Sequence, residues 1–323
     1  MNETKPKAIL FKKLDEQVVA YLQEYCELVY LEGLNEENRT RFEAELPEAE
    51  GILGSGLKVD AALLDRAPRL RVVSNFGVGY DNLDTAELKA RGIIATNTPE
   101  VLNDSVADAV VGLMLAAARR IPELDRYVRA GHWTGSVGEQ YYGTDVHHKT
   151  VGIIGLGAIG ERIAQRARFG FDMEVLYHNR SRKEEAEQRY GARYCSMDEL
   201  LAESDFVCLM TPLTSETRGM MGRAEFAKMK PGAIFINASR GATVDEEALL
   251  HALKSGIIAA AGLDVFEREP VSGDHPLLAL DNVVALPHIG SATRETRLNM
   301  AWLAARNLVA ALEGKEPPAK IRL

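Results

Sequence analysis

Short apolar runs alternate with amphipathic patterns along the first hundred residues. The apolar runs have the length of buried strands, and the segments between them begin with an acidic residue and show helical spacing. We therefore predict strands at residues 8–11, 27–30, 51–55, 71–75 and 92–96, and helices at 15–25, 60–66 and 84–91. Regular strand–helix alternation predicts a parallel sheet that is covered on both faces.

The same alternation restarts near residue 150. Before it, Asp104 or Ser105 is expected to cap a long helix that runs toward Arg120, and Pro122 marks a break or kink. Six strands are predicted here, the apolar run VGII at 151–154 and the segments 174–178, 206–210, 233–238, 258–266 and 283–287. Helices are predicted near 160–169, 183–190, 197–203, 223–228, 246–254 and 295–312. The predicted fold class is α/β, with two doubly wound parallel-sheet domains of the Rossmann or flavodoxin-like type.

Composition limits the function classes. A chain of 323 residues with 46% hydrophobic and 26% charged residues suits a globular protein of about two domains. A net charge of −9 argues against binding to nucleic acid, which needs clustered cations. The acidic stretch 32–50 is interpreted as a solvated helix face, with an interaction surface as the alternative.

The cysteines and the apolar segments indicate no oxidising compartment and no membrane. Cys26, Cys195 and Cys208 are far apart, and Cys208 lies in the apolar run FVCLM, as a buried thiol does. The apolar helix pattern at 106–118 is interrupted by Asp108 and is too short to span a bilayer. A cytoplasmic protein without a membrane partner is expected.

A glycine-rich turn stands between the apolar run VGII and a helix. Its pattern GxGxxG suits a tight turn, a close approach of the backbone to a pyrophosphate, and contact between helix and strand. The helix N-terminus adds N–H groups and a partial positive charge. The predicted cofactor-binding turn consists of Gly155, Leu156, Gly157, Ala158, Ile159 and Gly160.

The segment after the next strand is basic. Enzymes that use NAD commonly carry an acidic residue about twenty residues after the glycines, where it binds the ribose 2′-OH. Here the segment reads Asn179-Arg180-Ser181-Arg182. Two guanidinium groups and a hydroxyl suit a 2′-phosphate, which a carboxylate repels. These four residues are predicted to bind the cofactor, with NADP preferred to NAD; a solvated basic loop is the alternative.

Three residues with catalytic chemistry follow three strands of the second pattern. Arg240 ends the strand of INASRG, Glu269 follows in DVFEREP, and His288 ends the last strand in LPHIGSAT. Such strand ends meet at the ligand-binding edge of a parallel sheet. Reduction of a ketone needs a proton from a group such as histidine, which a carboxylate helps to protonate, while arginine binds a substrate carboxylate. We predict these three residues as the catalytic set of a 2-hydroxy-acid dehydrogenase.

The other histidines do not form such a set. His147 and His148 are adjacent, so they cannot share one face as an HxxxH metal pair does. No metal site is expected. No convincing partner is found in the sequence for His132, His178, His251 and His275.

Together, GLGAIG, INASRG, GLDVFEREP and LPHIGSAT resemble the D-isomer-specific 2-hydroxy-acid dehydrogenase family over nearly the whole chain. Within it, YYGTDVHHKTVGIIGLG, ESDFVCLMTPLT and HIGSATRET are similar to bacterial glyoxylate/hydroxypyruvate reductases that also reduce 2-ketogluconate. Those enzymes generally prefer NADPH. The missing acidic residue after the second strand is the one departure from NAD-type members.

The resemblance implies roles for further residues. Val78 and Gly79, in NFGVGY, would hold the substrate carboxylate with their N–H groups; without the resemblance this run is interpreted as a turn. Thr211 and Pro212 would border the adenosine, and Asp264 would hold the nicotinamide carboxamide. The remaining residues assigned to the cofactor are Ala238, Ser239 and Gly290.

The resemblance also implies a discontinuous substrate domain, residues 1–104 and 288–323, with the dinucleotide-binding domain at 105–287. The active site is expected in a closing cleft. A homodimer is expected to use the long helix after residue 104 and the segment up to residue 150. Trp133 either borders the neighbouring subunit's pocket or packs in the interface.

The expected function is reduction of small 2-oxo acids with NADPH, with glyoxylate, hydroxypyruvate and 2-ketogluconate as candidates. His288 is the acid/base, Glu269 tunes it, and Arg240 binds the substrate. Two alternatives remain: a dehydrogenase for phosphite or formate, and a dinucleotide-sensing, partner-binding protein without catalysis.

Overall fold

A computed structural model describes residues 5–323 and divides into two units. The first unit runs to Leu102 and includes Ala292–Leu323, and the second unit is Asn103–Ser291. Each unit contains one sheet whose strand pairs are all parallel. The predicted α/β class with two parallel sheets is confirmed.

The first unit has a five-stranded sheet in the order β2-β1-β3-β4-β5. Its strands are β1 (Lys7–Phe11), β2 (Glu27–Leu31), β3 (Gly51–Gly54), β4 (Val72–Asn75) and β5 (Ile94–Thr96). Its helices are α1 (Glu16–Tyr25), α2 (Glu36–Glu45), α3 (Ala61–Leu64), α4 (Thr85–Ala90) and, after the second unit, α12 (Arg294–Leu312).

The long helix α12 covers one face of this sheet. A Cβ atom on Gly51 would lie 2.7 Å from Leu308 Cδ1, so a larger residue there would force the Leu308 side chain to move. Beside it, the buried Ser74 hydroxyl of β4 donates to the carbonyl of Ala304 at 2.9 Å. These contacts fix the carboxyl end of β4, where the predicted substrate loop begins.

The second unit has a seven-stranded sheet in the order β12-β11-β10-β9-β6-β7-β8. Its strands are β6 (Thr150–Ile154), β7 (Glu174–His178), β8 (Arg193–Tyr194), β9 (Phe206–Leu209), β10 (Ile234–Asn237), β11 (Ala260–Leu263) and β12 (Val283–Ala285). Its helices are α5 (Asn103–Ala118), α6 (Ile121–Arg129), α7 (Ala158–Phe171), α8 (Glu184–Tyr190), α9 (Met197–Glu203), α10 (Arg223–Lys228) and α11 (Glu246–Lys254).

Three details of the second unit correct the prediction. The sheet has seven strands and not six, because β8 adds a short edge strand of two exposed residues. The strand expected at 258–266 is only Ala260–Leu263. Helix α5 begins at Asn103, so Asp104 and Ser105 lie in its first turn and neither precedes it as a cap.

The break expected at Pro122 is confirmed, because α6 starts with this residue in its first turn.

The acidic stretch, the cysteines and the apolar helices have the following burial in the structure. The acidic stretch does form a helix, α2, and Phe42 is its only buried residue. Cys26, Cys195 and Cys208 are buried, and burial raises the pKa of the Cys208 thiol to about 12. Over residues 5–323, the structure contains no helix with the length and apolar character needed to cross a bilayer.

Candidate active site

The glycine-rich turn connects β6 to α7 and depends on its glycines. Gly155 has a φ of +100°, which L side chains rarely adopt, and a Cβ there would lie 2.9 Å from the Met210 carbonyl carbon. A Cβ on Gly160 would lie 2.6 Å from the Gly155 carbonyl oxygen, so this glycine permits close contact between helix and turn. At Gly157 a Cβ would enter open space. The turn is therefore tightly packed at Gly155 and Gly160 and open to solvent at Gly157.

The N-terminus of α7 faces this open space with free donors. Gly157 is the N-cap, and no side chain caps the helix. Within residues 5–323, no acceptor is found for the backbone N–H groups of Ala158 and Ile159. Such groups, together with the positive end of the helix dipole, suit a diphosphate. The glycine turn thus fits the dinucleotide that the sequence predicts.

Asn179, at the end of β7, holds the glycine turn. Its side-chain oxygen accepts from the Leu156 N–H at 2.7 Å, and its amide nitrogen donates to the Leu156 carbonyl at 3.3 Å. The sequence placed Asn179 among the cofactor-binding residues by position, but it did not predict this contact. The contact links the predicted pyrophosphate region to the segment that is predicted to bind the 2′-phosphate.

The two arginines after Asn179, Arg180 and Arg182, differ in whether they have an anionic partner. Arg182 forms a two-pronged ion pair with Glu187, with N–O distances of 2.8 and 2.7 Å. The buried Tyr177 donates its hydroxyl to the same carboxylate at 2.6 Å and accepts from the Lys183 N–H at 2.7 Å. Hydrogen bonds from Arg182 and Tyr177 hold the pKa of Glu187 at about 2, well below 4.5. Arg182 therefore already has an anionic partner.

Arg180 and Ser181, by contrast, are exposed and have no polar partner in the described part of the chain. The positive charge of Arg180 contributes to the lowered pKa of Glu216, after the hydrogen bonds of Thr214 and Ser215. Glu216 lies in the loop that begins at the predicted adenosine residues Thr211 and Pro212; the Pro212 carbonyl accepts from the Thr217 hydroxyl at 2.6 Å. Arg180 is thus available for an anion and Arg182 is not.

The turn after β10 is shaped by Asn237, a buried residue that the sequence analysis did not single out. Its side-chain oxygen accepts from the N–H and the hydroxyl of Ser239, and its amide donates to the Arg240 carbonyl at 3.0 Å. Ala238 lies inside this turn. The Arg240 guanidinium donates to the Ser239 carbonyl at 2.8 Å. An asparagine at the end of an apolar strand is a turn signal that was present in INASRG.

Glu269 and His288 are in direct contact. His288 Nδ1 lies 2.7 Å from Glu269 Oε2, and Glu269 Oε1 accepts from the Phe266 N–H at 3.1 Å. Burial alone would raise the pKa of Glu269, but the hydrogen bond and charge of His288, the Phe266 N–H and the charge of Arg240 lower it below 4.5. The structure thus brings Glu269 and His288 together, and Arg240 is close enough to act on the same carboxylate.

The backbone at His288 is in the left-handed region, with a φ of +54°. Asp264 stabilises this segment: its carbonyl accepts from the His288 N–H, and its carboxylate accepts from the N–H groups of Ile289 and Gly290 at 2.7 and 2.8 Å. Burial is the main cause of the raised pKa of Asp264. A Cβ on Gly290 would lie 3.1 Å from that carboxylate, so glycine suits the position. Asp264 therefore positions the histidine as well as being a predicted cofactor residue.

The predicted substrate loop lies in the first unit, after β4. The Val78 carbonyl accepts from the Asn97 side chain at 2.8 Å, and the Gly79 carbonyl accepts from the Asn75 side chain at 2.8 Å. Among the described residues, no acceptor is found for the N–H groups of Val78 and Gly79. Two asparagines that the sequence analysis assigned no role thus fix the carbonyls and leave two N–H groups for an anion.

One expectation about the remaining histidines is wrong. His275 has a partner, because its Nε2 lies 3.1 Å from Glu246 Oε2. The other oxygen of Glu246 accepts from the Glu267 N–H at 2.8 Å. His178 also has one, since its Nδ1 lies 3.0 Å from the Cys195 carbonyl. These contacts join segments far apart in the sequence, so spacing alone could not reveal them.

Comparisons with known proteins find similarity to one family. The model of the D-isomer specific 2-hydroxyacid dehydrogenase, NAD binding domain, matches residues 111–290. Glyoxylate/hydroxypyruvate reductase B of Shigella boydii is 54% identical over 311 residues, which cover 96% of each chain. The reductase B of Klebsiella pneumoniae is 53% identical over 310 residues, again with 96% coverage of each.

The chain is also similar to solved structures over nearly its whole length. The chain matches a Thermus thermophilus protein with a TM-score of 0.90 and 40% identity, over 98% of this chain and all (100%) of that one. It also matches an NADPH-dependent glyoxylate/hydroxypyruvate reductase of Sinorhizobium meliloti, solved with NADP and malonate. That match has a TM-score of 0.86 and 34% identity, over 98% and 97% of the two chains.

Proposed function

Because the chain belongs to the D-isomer specific 2-hydroxyacid dehydrogenase family, we propose that it reduces glyoxylate and hydroxypyruvate, and also 2-ketogluconate, to 2-hydroxy acids, with NADPH preferred to NADH. The observation that carries the proposal is the contact between His288 and Glu269 at 2.7 Å. It lies at the strand ends of the unit that carries the dinucleotide turn, where Arg240 acts on the same carboxylate.

His288 is the acid in this reaction. With Nδ1 bound to Glu269, Nε2 is the nitrogen that can give a proton to the substrate oxygen. The Glu269 carboxylate holds the imidazole by Nδ1 and so fixes its orientation. The bound dinucleotide supplies the hydride for carbon C2. In the reverse direction, neutral imidazole accepts the hydroxyl proton of the 2-hydroxy acid.

We assign the substrate carboxylate to the loop of the first unit and to Arg240. The free N–H groups of Val78 and Gly79 are suited to an anion because their carbonyls are fixed by Asn75 and Asn97. Arg240 adds a planar guanidinium, which can contact the carboxylate and polarise the keto oxygen. On this proposal the first unit is the substrate domain and the second is the dinucleotide-binding domain.

The preference for NADPH is supported by charge. The segment after β7 has no carboxylate that could bind a ribose 2′-OH and repel a phosphate. Arg180 and Ser181 are exposed and without a polar partner among residues 5–323. The Sinorhizobium meliloti relative is described as NADPH-dependent and was solved with NADP. We assign the 2′-phosphate mainly to Arg180 and Ser181.

Steady-state kinetics test the proposal. kcat/KM should be measured for glyoxylate, hydroxypyruvate and 2-ketogluconate with NADPH and with NADH. We expect turnover of all three, with NADPH favoured. Oxidation of phosphite or formate in place of this activity would indicate a different dehydrogenase. Tight NADPH binding without turnover would indicate a sensing protein.

The His288→Gln variant provides the residue-level test. Loss of a positioned proton donor should lower kcat by about 10²–10⁴-fold. The affinity for NADPH, measured by fluorescence titration, should remain close to that of the parent protein. Turnover equal to that of the parent would remove His288 from the mechanism.

A further inference from the structure

The turn of residues 240–243, which begins with the predicted substrate arginine, is anchored along its whole backbone. Each of its four carbonyls accepts a hydrogen bond. Two of these bonds come from another segment, since the N–H groups of Gly219 and Met221 donate to the third and fourth carbonyls at 2.9 and 3.2 Å. The turn is therefore fixed from within and from a neighbouring loop of the same unit.

The carbonyl of Arg240 has more donors than it needs. The Asn237 side-chain amide donates to it at 3.0 Å, the Thr243 hydroxyl at 2.5 Å and the Thr243 N–H at 3.2 Å. A carbonyl oxygen has two lone pairs, so two donors would already satisfy it. The hydroxyl of the fully buried Thr243 is thus not required to avoid an unsatisfied carbonyl, and its short bond restricts the orientation of that carbonyl instead.

The two side chains that bind this carbonyl act on different parts of the turn. Asn237 also accepts from the N–H and the hydroxyl of Ser239, at 3.0 and 2.8 Å, and the Ser239 carbonyl accepts from the Arg240 guanidinium at 2.8 Å. The Thr243 hydroxyl acts on the Arg240 carbonyl alone. A change at Thr243 therefore leaves Ser239, a predicted cofactor residue, in the grip of Asn237.

The same turn lies directly against the segment that carries Glu269. A Cβ atom on Gly241 would lie 1.8 Å from the Phe266 carbonyl carbon and 2.2 Å from the Glu267 nitrogen. The Phe266 N–H in turn donates to the Glu269 carboxylate at 3.1 Å. Because backbone packs on backbone here, the placement of the turn determines where Arg240 stands relative to Glu269.

We propose that Thr243 is a positioning residue for Arg240. Its buried hydroxyl holds the Arg240 carbonyl and so sets the direction in which the guanidinium meets the carboxylate of the 2-oxo acid. Small displacements of such a group are costly to the reaction, which gives the additional hydrogen bond a function. The inference rests on the proposed function for the identity of the substrate, whereas the hydrogen bonds belong to the second unit alone.

Two variants of Thr243 separate the hydroxyl from the packing of the side chain. Thr243→Val keeps the shape and loses the hydroxyl, and Thr243→Ser keeps the hydroxyl and loses a methyl group. We expect Thr243→Val to lower kcat/KM for glyoxylate about fivefold or more, the usual effect of one hydrogen bond. Thr243→Ser should stay close to the parent protein. A packing role predicts the reverse order, because valine fills the space that serine leaves empty.

Two further measurements exclude a general loss of structure. The affinity for NADPH, followed by fluorescence titration, should be the same in the parent protein and both variants, since Asn237 still holds Ser239. Ser204→Ala is the matched control. Ser204 is also fully buried in the second unit, but its hydroxyl has no hydrogen-bond partner among residues 5–323. Its variant should leave kcat/KM unchanged.

Binding of oxamate, an isostere of a 2-oxo acid whose amide resists reduction, tests the position of Arg240 without turnover. Calorimetric titration of the protein loaded with NADPH should show oxamate binding about fivefold more weakly to Thr243→Val than to Thr243→Ser or the parent protein. If Thr243→Val does not fold, Thr243→Ala takes its place, since alanine and serine differ only in the hydroxyl.

The outcomes distinguish this inference from the proposed reductase. Equal oxamate affinity and equal kcat/KM in the parent protein and Thr243→Val would overturn the positioning role and leave the reductase intact. A parent protein that binds oxamate through this hydroxyl but does not turn over glyoxylate would keep the positioning role and remove the reductase. A parent protein that neither binds oxamate nor reduces glyoxylate would contradict both.

Discussion

At the scale of single residues, the proposed chemistry depends on the hydrogen bond between His288 Nδ1 and Glu269 Oε2. Its length of 2.7 Å and the lowered pKa of Glu269 mean that the carboxylate keeps its charge from neutral pH to well into the acid range. Because the folded-state pKa is below the ordinary 4.5, the pair stabilises the fold above that pH. This contribution to the free energy of unfolding is lost as the pH falls through the lowered pKa of Glu269.

Replacement of Glu269 with Gln tests this pair. The amide keeps the shape of the side chain but removes its negative charge. We expect kcat for glyoxylate at pH 7 to fall roughly tenfold or more, while the affinity for NADPH stays close to that of the parent protein. Because the lowered pKa of Glu269 stabilises the parent fold above that pKa, the variant should also lose less stability than the parent as the pH falls from about 5 to about 3. The measurements are kcat, NADPH affinity and the free energy of unfolding against pH.

A purely structural role for Glu269 would give a different result. It would weaken NADPH binding together with kcat, because the fold around the strand ends would loosen. Glu246→Gln is the matched control, since this partly buried carboxylate also pairs with a histidine, at 3.1 Å from His275. Its variant should leave kcat close to that of the parent protein.

The residues to which the proposed chemistry is assigned can be recognised in the sequence, but most of the residues that position them cannot. Arg240, Glu269 and His288 stand in recognisable motifs at strand ends. Asn75 and Asn97 act on the substrate loop through side-chain contacts with carbonyls of other segments. Such contacts depend on the fold, so no spacing in the sequence reveals them.

At the scale of elements, the segment from Asn179 to Lys183 is held at both ends. Asn179 binds the glycine turn, and Arg182 is tied to Glu187, which also accepts from Tyr177. Burial and the Glu187 hydrogen bond raise the pKa of Tyr177 to about 12, so its hydroxyl stays a donor at any working pH. The backbone of Arg180 and Ser181 therefore lies between two fixed contacts.

We expect the two arginines of this segment to respond differently to replacement. Arg180→Met should raise KM for NADPH about tenfold and change KM for NADH little, because it removes a charge-assisted contact with the 2′-phosphate. Arg182→Met should raise KM for NADPH and KM for NADH by similar factors, since it frees Glu187 and loosens the whole segment. The measurement is kcat/KM for both cofactors with each variant.

Titration provides an independent control for Arg182. Loss of its hydrogen bond should bring the pKa of Glu187 up from about 2 toward 4.5, which NMR can follow. If Arg182→Met instead weakens the binding of NADPH alone, and Arg180→Met weakens the binding of neither cofactor, the assignment of the 2′-phosphate to Arg180 is wrong. The joint replacement should then behave like Arg182→Met alone.

Elements with a buried face could be predicted well, and exposed ones poorly. Strands β3, β4, β9 and β10 are buried along their whole length, so each contains a run of two or more apolar residues that marks it in the sequence. Strand β8 has two exposed residues and pairs only with β7, so it leaves no hydrophobic pattern. The predicted strand at 258–266 was too long because the chain leaves the sheet at Asp264, whose carboxylate binds backbone N–H groups.

At the scale of the whole molecule, one segment of the second unit exposes more apolar surface than its neighbours. Helix α6 has no buried residue although it contains Ile121 and Val128, which are 53% and 50% exposed. Trp133 and Tyr142 follow at 63% and 64%. Contiguous exposed apolar side chains on a globular protein mark an interaction site. We propose that this segment, residues 121–142, forms the homodimer interface that the family resemblance implies.

Light scattering coupled to size exclusion tests the dimer. One chain has a mass of 35.5 kDa, so the parent protein should elute at about twice that mass. The double variant Ile121→Glu, Val128→Glu places two carboxylates in the interface, and burial of unpaired charge is costly. We expect it to shift toward the monomer mass at micromolar concentration. Phe169→Glu is the matched control, because Phe169 is 66% exposed but lies outside the segment. A parent protein that is monomeric, or a double variant that keeps the mass of the parent, would place the interface elsewhere or remove it.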